Sequence, residues 1–234
     1  MLAAIHNDTM RYYIALLTLL LFGCGNTETK KVIEKFDNGK DAIVYFYKDD
    51  DDTLTYRKDV FYESGKQKYF GYISKGTKDG VWTWWYENGN KKDQCKYANG
   101  FYVDTIYHWN ENGRIKEIEI VKANTVRDDE PFNCNGTFIY YYENGNPKET
   151  FTWIDNIQQD TAKGWYENGQ LKVISVWRDS VQNGLCREYY SNGQIKSEAN
   201  FIDGWEDGKV TFWDSLGNVM LTENWKDKKL LKQN

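Results

Sequence analysis

The chain has 234 residues, of which 40% are hydrophobic and 17% aromatic, so aromatic rings must supply much of any core. The net charge of −5 provides no positive surface for DNA or RNA phosphates, and we expect no nucleic-acid partner. There are only two histidines, which argues against histidine-based catalysis and zinc chemistry. We therefore predict no catalytic residues, no metal ion and no cofactor, and a protein that is not an enzyme.

The N-terminal segment indicates export. An apolar run over residues 12–23 follows Arg11 and is too short to span a bilayer as a helix, which is typical of a secretory signal peptide. Its end, Leu21-Phe22-Gly23-Cys24, resembles the lipobox of bacterial lipoproteins, in which the cysteine is lipidated. The expected organisation is a signal peptide at 1–23, then lipidated Cys24 with a polar tether at 24–35. An ordinary signal peptide that happens to contain a cysteine is the alternative.

A single repeat with a period of 24 fills the rest of the chain. Aligned on the last residue of the tetrapeptide Tyr-Glu-Asn-Gly and its variants, the units end their turns at Gly65, Gly89, Gly113, Gly145, Gly169, Gly193 and Gly217. Every interval equals the period except the one from Gly113 to Gly145, which is longer and places an insert near 122–133. Gly39 ends a degenerate first copy. The predicted repeat domain covers residues 36–231.

The positions around this glycine predict strands and turns. Four residues before it, an aromatic residue recurs: Phe61, Trp85, Trp109, Tyr141, Trp165, Tyr189 and Trp213. Asn-Gly between β-forming residues predicts a hairpin turn, because both residues tolerate positive φ. Nine residues before the glycine stand the residues predicted to form a second turn: Gly80, Asp104, Gly136, Asp160, Gly184 and Gly208. Each unit is thus predicted to be a β-hairpin whose apolar face is buried by stacking on its neighbours.

The Tyr-Glu-Asn-Gly-x-[Ile/Leu]-Lys turn, the period of 24 and the second glycine resemble the MORN repeat variant, and proteins of this kind are often filed as YwqK-type antitoxins. The resemblance implies an all-β repeat protein, an elongated and twisted antiparallel meander of hairpins that serves association. It provides no catalytic residues. The first and last copies depart from the motif, as terminal repeats do when they cap a stack.

Most residues with reactive side chains have a structural interpretation. His108 occupies a strand position that Trp84 and Tyr140 fill in other units, which favours a structural ring. The acidic run at 49–52 lacks the ligand spacing and the glycine of a calcium loop. Cys95, Cys134 and Cys186 are separated by several predicted strands, a distance beyond the reach of a disulfide.

Two classes of partner follow from these patterns. We expect the chain to bind another protein of the cell envelope through a sheet face or through the insert, where Asp128 and Asp129 lie. The alternative is polysaccharide or cell-wall binding by exposed aromatic rings such as Trp82 and Trp84. An antitoxin role comes third, on the resemblance alone. The predicted location is the bacterial cell envelope, with a lipid anchor in the outer membrane or at the cell surface.

Overall fold

A computed structural model describes residues 28–48, 54–122 and 135–234. These residues contain strands, turns and bends but no helix, and none of them forms a helix that could cross a membrane. The predicted signal peptide, Cys24, the acidic run at 49–52 and most of the predicted insert, with Asp128, Asp129 and Cys134, lie outside the described residues.

Nineteen strands form one open antiparallel sheet in the described part of the chain. They are β1 (Thr29–Lys35), β2 (Asp41–Tyr47), β3 (Thr55–Phe61), β4 (Gln67–Ser74), β5 (Thr77–Trp85), β6 (Lys91–Ala98), β7 (Phe101–Tyr102), β8 (Thr105–Trp109), β9 (Ile115–Val121), β10 (Gly136–Tyr141), β11 (Pro147–Ile154), β12 (Ile157–Trp165), β13 (Leu171–Arg178), β14 (Val181–Tyr189), β15 (Ile195–Ile202), β16 (Trp205–Glu206), β17 (Gly208–Trp213), β18 (Val219–Lys226) and β19 (Lys229–Gln233). Strands pair in sequence order, with the two-residue strands β7 and β16 beside the pairings β6–β8 and β15–β17. The predicted all-β meander is confirmed.

The sheet begins earlier than the predicted repeat domain. Strand β1 pairs with β2, with Thr29 opposite Tyr47, so residues 29–35 belong to the sheet and not to the tether. The turn after β1 has the same hydrogen bond as the later units, from the amide of Gly39 to the carbonyl of Phe36 at 2.9 Å. The degenerate first copy therefore folds as a repeat.

The first turn of each unit differs from the expected form. In the unit around Gly169, the glycine amide donates to the carbonyl of Tyr166 at 2.9 Å, and Gly169 has a φ of +87°. Asn168 is not among the residues with positive φ, so the turn is a three-residue loop closed by a glycine bulge. The seven predicted turn glycines all have positive φ and occupy this place in their units. The expectation of positive φ at the asparagine is wrong.

The second turn lies elsewhere than predicted. It consists of two residues with positive φ, as in a type I′ hairpin, at Lys75-Gly76, Asn99-Gly100, Asp155-Asn156, Asp179-Ser180, Asp203-Gly204 and Asp227-Lys228. The predicted residues come several positions later, where Gly80, Asp160, Gly184 and Gly208 have positive φ inside strand irregularities, while Gly136 opens β10. At one such irregularity Gly71 stands opposite three residues of β5. Both turns and bulges favour residues such as Gly and Asp that adopt positive φ. The residue types alone therefore do not distinguish a bulge from a turn.

Two ladders of hydrogen bonds join consecutive units. The tyrosine hydroxyl of the turn motif donates to the carbonyl of the repeat aromatic in the next unit at 2.7 or 2.8 Å, in the pairs Tyr62–Trp85, Tyr86–Trp109, Tyr142–Trp165, Tyr166–Tyr189 and Tyr190–Trp213. The asparagine amide donates to a turn carbonyl of the next unit at 2.7 to 2.9 Å, in the pairs Asn88–Glu111, Asn144–Glu167, Asn168–Ser191 and Asn192–Ser215. The motif therefore recurs because its tyrosine and asparagine fasten the stack.

Candidate functional site

The best-buried aromatic cluster lies on one face of the central strands, which we call the Trp82 face. Trp82 is 3% exposed and packs with Cys95, Tyr97, Ile106 and Val121. Its indole nitrogen donates to the carbonyl of Tyr72 at 3.1 Å. A ring so covered cannot stack on a sugar, and the predicted exposure of Trp82 is wrong. Its buried position follows from Gly71, which leaves room for the ring against the backbone.

Trp84 is half-buried beside Trp82, with 5.7 Å between ring centroids. The Lys78 ammonium lies over the rings of Trp82, Trp84 and Tyr97, at 4.8, 5.6 and 5.0 Å from their centroids. Such cation–π contacts stabilise the side chain of a lysine against aromatic faces. An ammonium of the chain itself therefore covers these rings.

The repeat aromatics lie on the opposite face. Because side chains alternate along a strand, Trp85 points away from the face that carries Trp84. Trp85, Trp109, Tyr141, Trp165, Tyr189 and Trp213 are all half-buried. Trp85 packs on Phe70 at 5.4 Å between centroids, and Trp109 packs on Tyr107 at 5.7 Å. The backbone carbonyls of five of these six residues also accept the hydrogen bond from the tyrosine hydroxyl of the preceding unit. Their role is therefore to join consecutive units.

A polar cluster interrupts the Trp82 face. Asp93 of β6, His108 of β8 and Glu117 of β9 stand directly opposite one another in register, and Glu119 follows on the same face of β9. We call these four residues the His108 cluster. His108 Nδ1 lies 2.6 Å from Asp93 Oδ1, and His108 Nε2 lies 3.1 Å from Glu119 Oε1.

Charge within the His108 cluster favours a protonated ring. Burial disfavours the imidazolium, but the hydrogen bonds with Asp93 and Glu119 outweigh it and raise the pKa of His108 to about 9. On the neighbouring strand, burial and a hydrogen bond with Glu117 raise the pKa of the Tyr140 hydroxyl. An open cleft of about 240 Å³ borders the cluster and is lined by Asp93, His108, Trp84 and Tyr102 among others.

The other face carries exposed apolar side chains at the edge of the sheet where the second turns lie. Ile154, Ile157, Val181, Ile202 and Trp205 are 40 to 49% exposed, and we call them the turn-edge strip. Ile154 is paired with Ile157 across one turn, and Ile202 with Trp205 across another. The strip arises because equivalent positions, one or two repeat periods apart, hold apolar residues in these units.

The base of the insert lies beside this strip. The amide of Lys122 donates to the carbonyl of Asn135 at 2.9 Å and closes the base of the insert. The side-chain amide of Asn135 donates to Asp155 Oδ1 at 2.7 Å, and Asp155 belongs to the turn between Ile154 and Ile157. The base of the insert and the turn-edge strip therefore form one continuous edge.

Comparison with protein families identifies the repeat. Residues 78–99, 135–155, 161–179 and 182–203 match a family model described as MORN repeat variant. The predicted resemblance to the MORN repeat variant is confirmed at these four segments, and the chain is a repeat protein. No curated protein matches the chain.

The MORN-variant match skips part of the sheet. The segment from 101 to 122, which contains His108, Glu117 and Glu119, is outside the matched residues, although it folds into strands β7 to β9 within the same meander. The sequence interpretation of His108 as a structural ring missed its two carboxylate partners. Their signal was the pair of glutamates at 117 and 119, two residues apart, across a hairpin from the histidine.

Proposed function

We propose that this protein is a non-enzymatic MORN-variant scaffold, tethered to a bacterial membrane through lipidated Cys24, that binds another protein of the cell envelope. The observation that supports binding is the turn-edge strip. Exposed apolar residues scattered singly are normal, but here they recur at equivalent positions of stacked repeats, interrupted by Arg178 opposite Val181, and exposed apolar groups of this kind mark interaction sites. The insert beside the strip provides a second, unit-specific contact.

The turns along this edge carry Asp155, Asp179 and Asp203. Each accepts a hydrogen bond from a side-chain amide of the preceding unit, Asn135, Gln159 and Asn183 respectively, at 2.7, 2.7 and 3.2 Å. These carboxylates are therefore held in place between the apolar residues. The edge also carries Arg178, the cross-strand partner of Val181. A partner with apolar side chains, and with lysine or arginine placed against the three turn carboxylates, complements this edge.

Polysaccharide binding has less support. A sugar platform needs exposed rings, whereas Trp82 is buried and Lys78 covers Trp84. Among the tryptophans that the structure describes, Trp205 is the one with a largely exposed side chain, and the Lys228 ammonium lies 5.0 Å from its ring centroid. A single ring of this kind belongs to the turn-edge strip.

Site-specific photocrosslinking in intact cells tests the protein-binding proposal. A photoreactive amino acid at position 181 of the full-length chain is expected to capture one envelope protein in near-stoichiometric amount. The matched control is position 219, where Val219 is also exposed but lies next to a first turn, and there we expect no such product. Val181→Asp should abolish capture by a reporter placed at position 157, whereas Val219→Asp should not.

The same experiment distinguishes the alternatives. Equal products from positions 181 and 219 would contradict a binding edge. Recovery of glycan without an enriched protein would favour polysaccharide binding, and recovery of a cytoplasmic toxin would favour the antitoxin role. For the tether, Cys24→Ser should prevent incorporation of labelled palmitate, and normal incorporation into this variant would disprove lipidation at Cys24.

A further inference from the structure

We propose that the His108 cluster is a binding site for one divalent transition-metal ion such as zinc, with His108 Nε2, Glu117 and Glu119 as ligands and Asp93 as the residue that orients the imidazole. The inference is independent of the partner proposed above, since the cluster lies on the Trp82 face and not on the turn-edge strip.

The ligand geometry follows from strand pairing. His108 is the register partner of Glu117, and Ile106 is the partner of Glu119, so the ring stands over both glutamates. One donor atom from each of His108, Glu117 and Glu119 lies within 4.8 Å of the other two. Zinc bonds of about 2.0–2.2 Å in a tetrahedral site place donors about 3.4 Å apart. Rotamer adjustments of about 1 Å therefore bring these three ligands into coordination, with one position left for water.

Asp93 supports this assignment in a way that a simple acidic cluster does not. Its carboxylate lies 2.6 Å from His108 Nδ1, where it holds a proton on that nitrogen and directs Nε2 toward Glu119. Metal binding releases the proton that the imidazolium carries on Nε2, and this nitrogen then supplies the lone pair. A carboxylate behind a metal-bound histidine is the usual arrangement in zinc sites. Tyr140, hydrogen-bonded to Glu117, orients a second ligand from the next strand.

The other repeats provide an internal comparison. The position of His108 is occupied elsewhere by Val60, Trp84, Tyr140, Gly164, Glu188 and Phe212. The position of Glu119 is occupied elsewhere by Gly71, Cys95, Phe151, Ser175, Ala199 and Glu223. The fold thus accepts aromatic, small and acidic residues at these two places, and a histidine occurs in one unit only. A histidine and two glutamates coincide in one unit, and this unit lies between two segments that match the MORN repeat variant without matching it itself.

The cluster is neither sealed nor fully exposed. The cleft of about 240 Å³ on the Trp82 face reaches His108 from the side of Asp93, whereas Glu117 and Glu119 lie outside its wall. The side chains of His108, Asp93 and Glu119 are 26, 27 and 15% exposed, so the donors are shielded from bulk water without being sealed from it.

Zinc titration of the full chain tests the proposal. By calorimetry against a competing chelator, we expect one equivalent of zinc whose affinity falls about 10- to 100-fold in Asp93→Asn, as for other residues that orient a ligand. His108→Gln and Glu119→Gln should lower it further. The matched control is Glu223→Gln, at the repeat position equivalent to Glu119 in the last unit. This variant should bind zinc with the affinity of the wild type. Zinc should also shift the His108 ring resonances in NMR spectra.

Two results would overturn the proposal. The absence of zinc binding would leave the cluster as an ion-pair network only. Zinc binding of undiminished affinity in His108→Gln would place the ion elsewhere in the chain. Circular dichroism of each variant separates loss of the site from loss of the fold, and Asp93→Asn keeps the test valid if His108→Gln does not fold.

Discussion

The contact between Gly71 and Trp82 permits a sharp test of the packing. An alanine Cβ at position 71 would lie 2.0 Å from Cδ2 and 2.2 Å from Cε2 of the Trp82 ring. The ring has no room to move away, because its nitrogen donates a hydrogen bond to the Tyr72 carbonyl and core residues pack against it. Ordinary carbon–carbon contacts are about 3.5–4.0 Å, so Gly71→Ala forces the core apart.

The magnitude follows from this overlap. Overpacking of a core usually costs about 1–3 kcal/mol, and an overlap with an immobile ring belongs at the top of this range or above it. We expect Gly71→Ala to lose about 3 kcal/mol or more, which lowers Tm by about 6–12 °C for a chain of this size. The matched control is Gly164→Ala, whose Cβ meets one Val173 methyl at 3.0 Å and should cost much less.

A double-mutant cycle separates the clash from other effects. In a Trp82→Leu background the ring is gone, so Gly71→Ala should cost far less than in the wild type, with an interaction energy of about 1–3 kcal/mol. Calorimetry of the four proteins measures it. An unchanged Tm in Gly71→Ala, or an equal cost in both backgrounds, would refute the packing described here.

Three further outcomes are expected. Tyr166→Phe removes the 2.7 Å hydrogen bond to the Tyr189 carbonyl and should lower the free energy of unfolding by about 1 kcal/mol in urea titrations, whereas Tyr107→Phe should change it little. Gly169→Val places a β-branched residue at a φ of +87° and should cost at least about 1–2 kcal/mol, and an unchanged Tm would contradict the turn assignment. Because the pKa of His108 rises from 6.5 to about 9 on folding, its stabilisation of up to about 3 kcal/mol is complete below pH 6.5 and lost as pH rises through 9. Unfolding of wild type and His108→Gln from pH 6 to 10, with EDTA present, should show this difference, and parallel pH profiles would contradict it.

The periodicity of the sequence predicted the fold because the repeat leaves few alternatives. Hairpin turns that recur once in every repeat period allow only a sequential antiparallel meander, and this is the observed sheet. The second turn was misplaced because residues such as Gly80 and Asp160 indicate that the backbone has positive φ. They do not indicate whether that backbone belongs to a turn or to a bulge. Only the pairing of Phe70 with Thr83 and of Tyr72 with Asp79 distinguishes a bulge from a turn.

The His108 cluster could not be predicted from spacing for a related reason. Asp93 and His108 belong to different strands and meet because the irregularity around β7 sets the register of β8 on β6. A shift of one residue would turn either side chain to the other face. The predicted turn at Gly113 already places His108 across one hairpin from Glu117 and Glu119, but the register that adds Asp93 from β6 is a property of the folded sheet.

The ladders explain why such a site can arise in one unit without loss of the fold. Tyrosine hydroxyls and asparagine amides join neighbouring units through backbone carbonyls, whatever side chains the faces carry. The Trp82 face is therefore free to vary, from Trp84 in one unit to His108 in the next. In a scaffold held together in this way, we expect specific chemistry where a unit departs from the repeat. Two departures are adjacent in the chain, since β9 carries Glu117 and Glu119 and ends at the base of the insert.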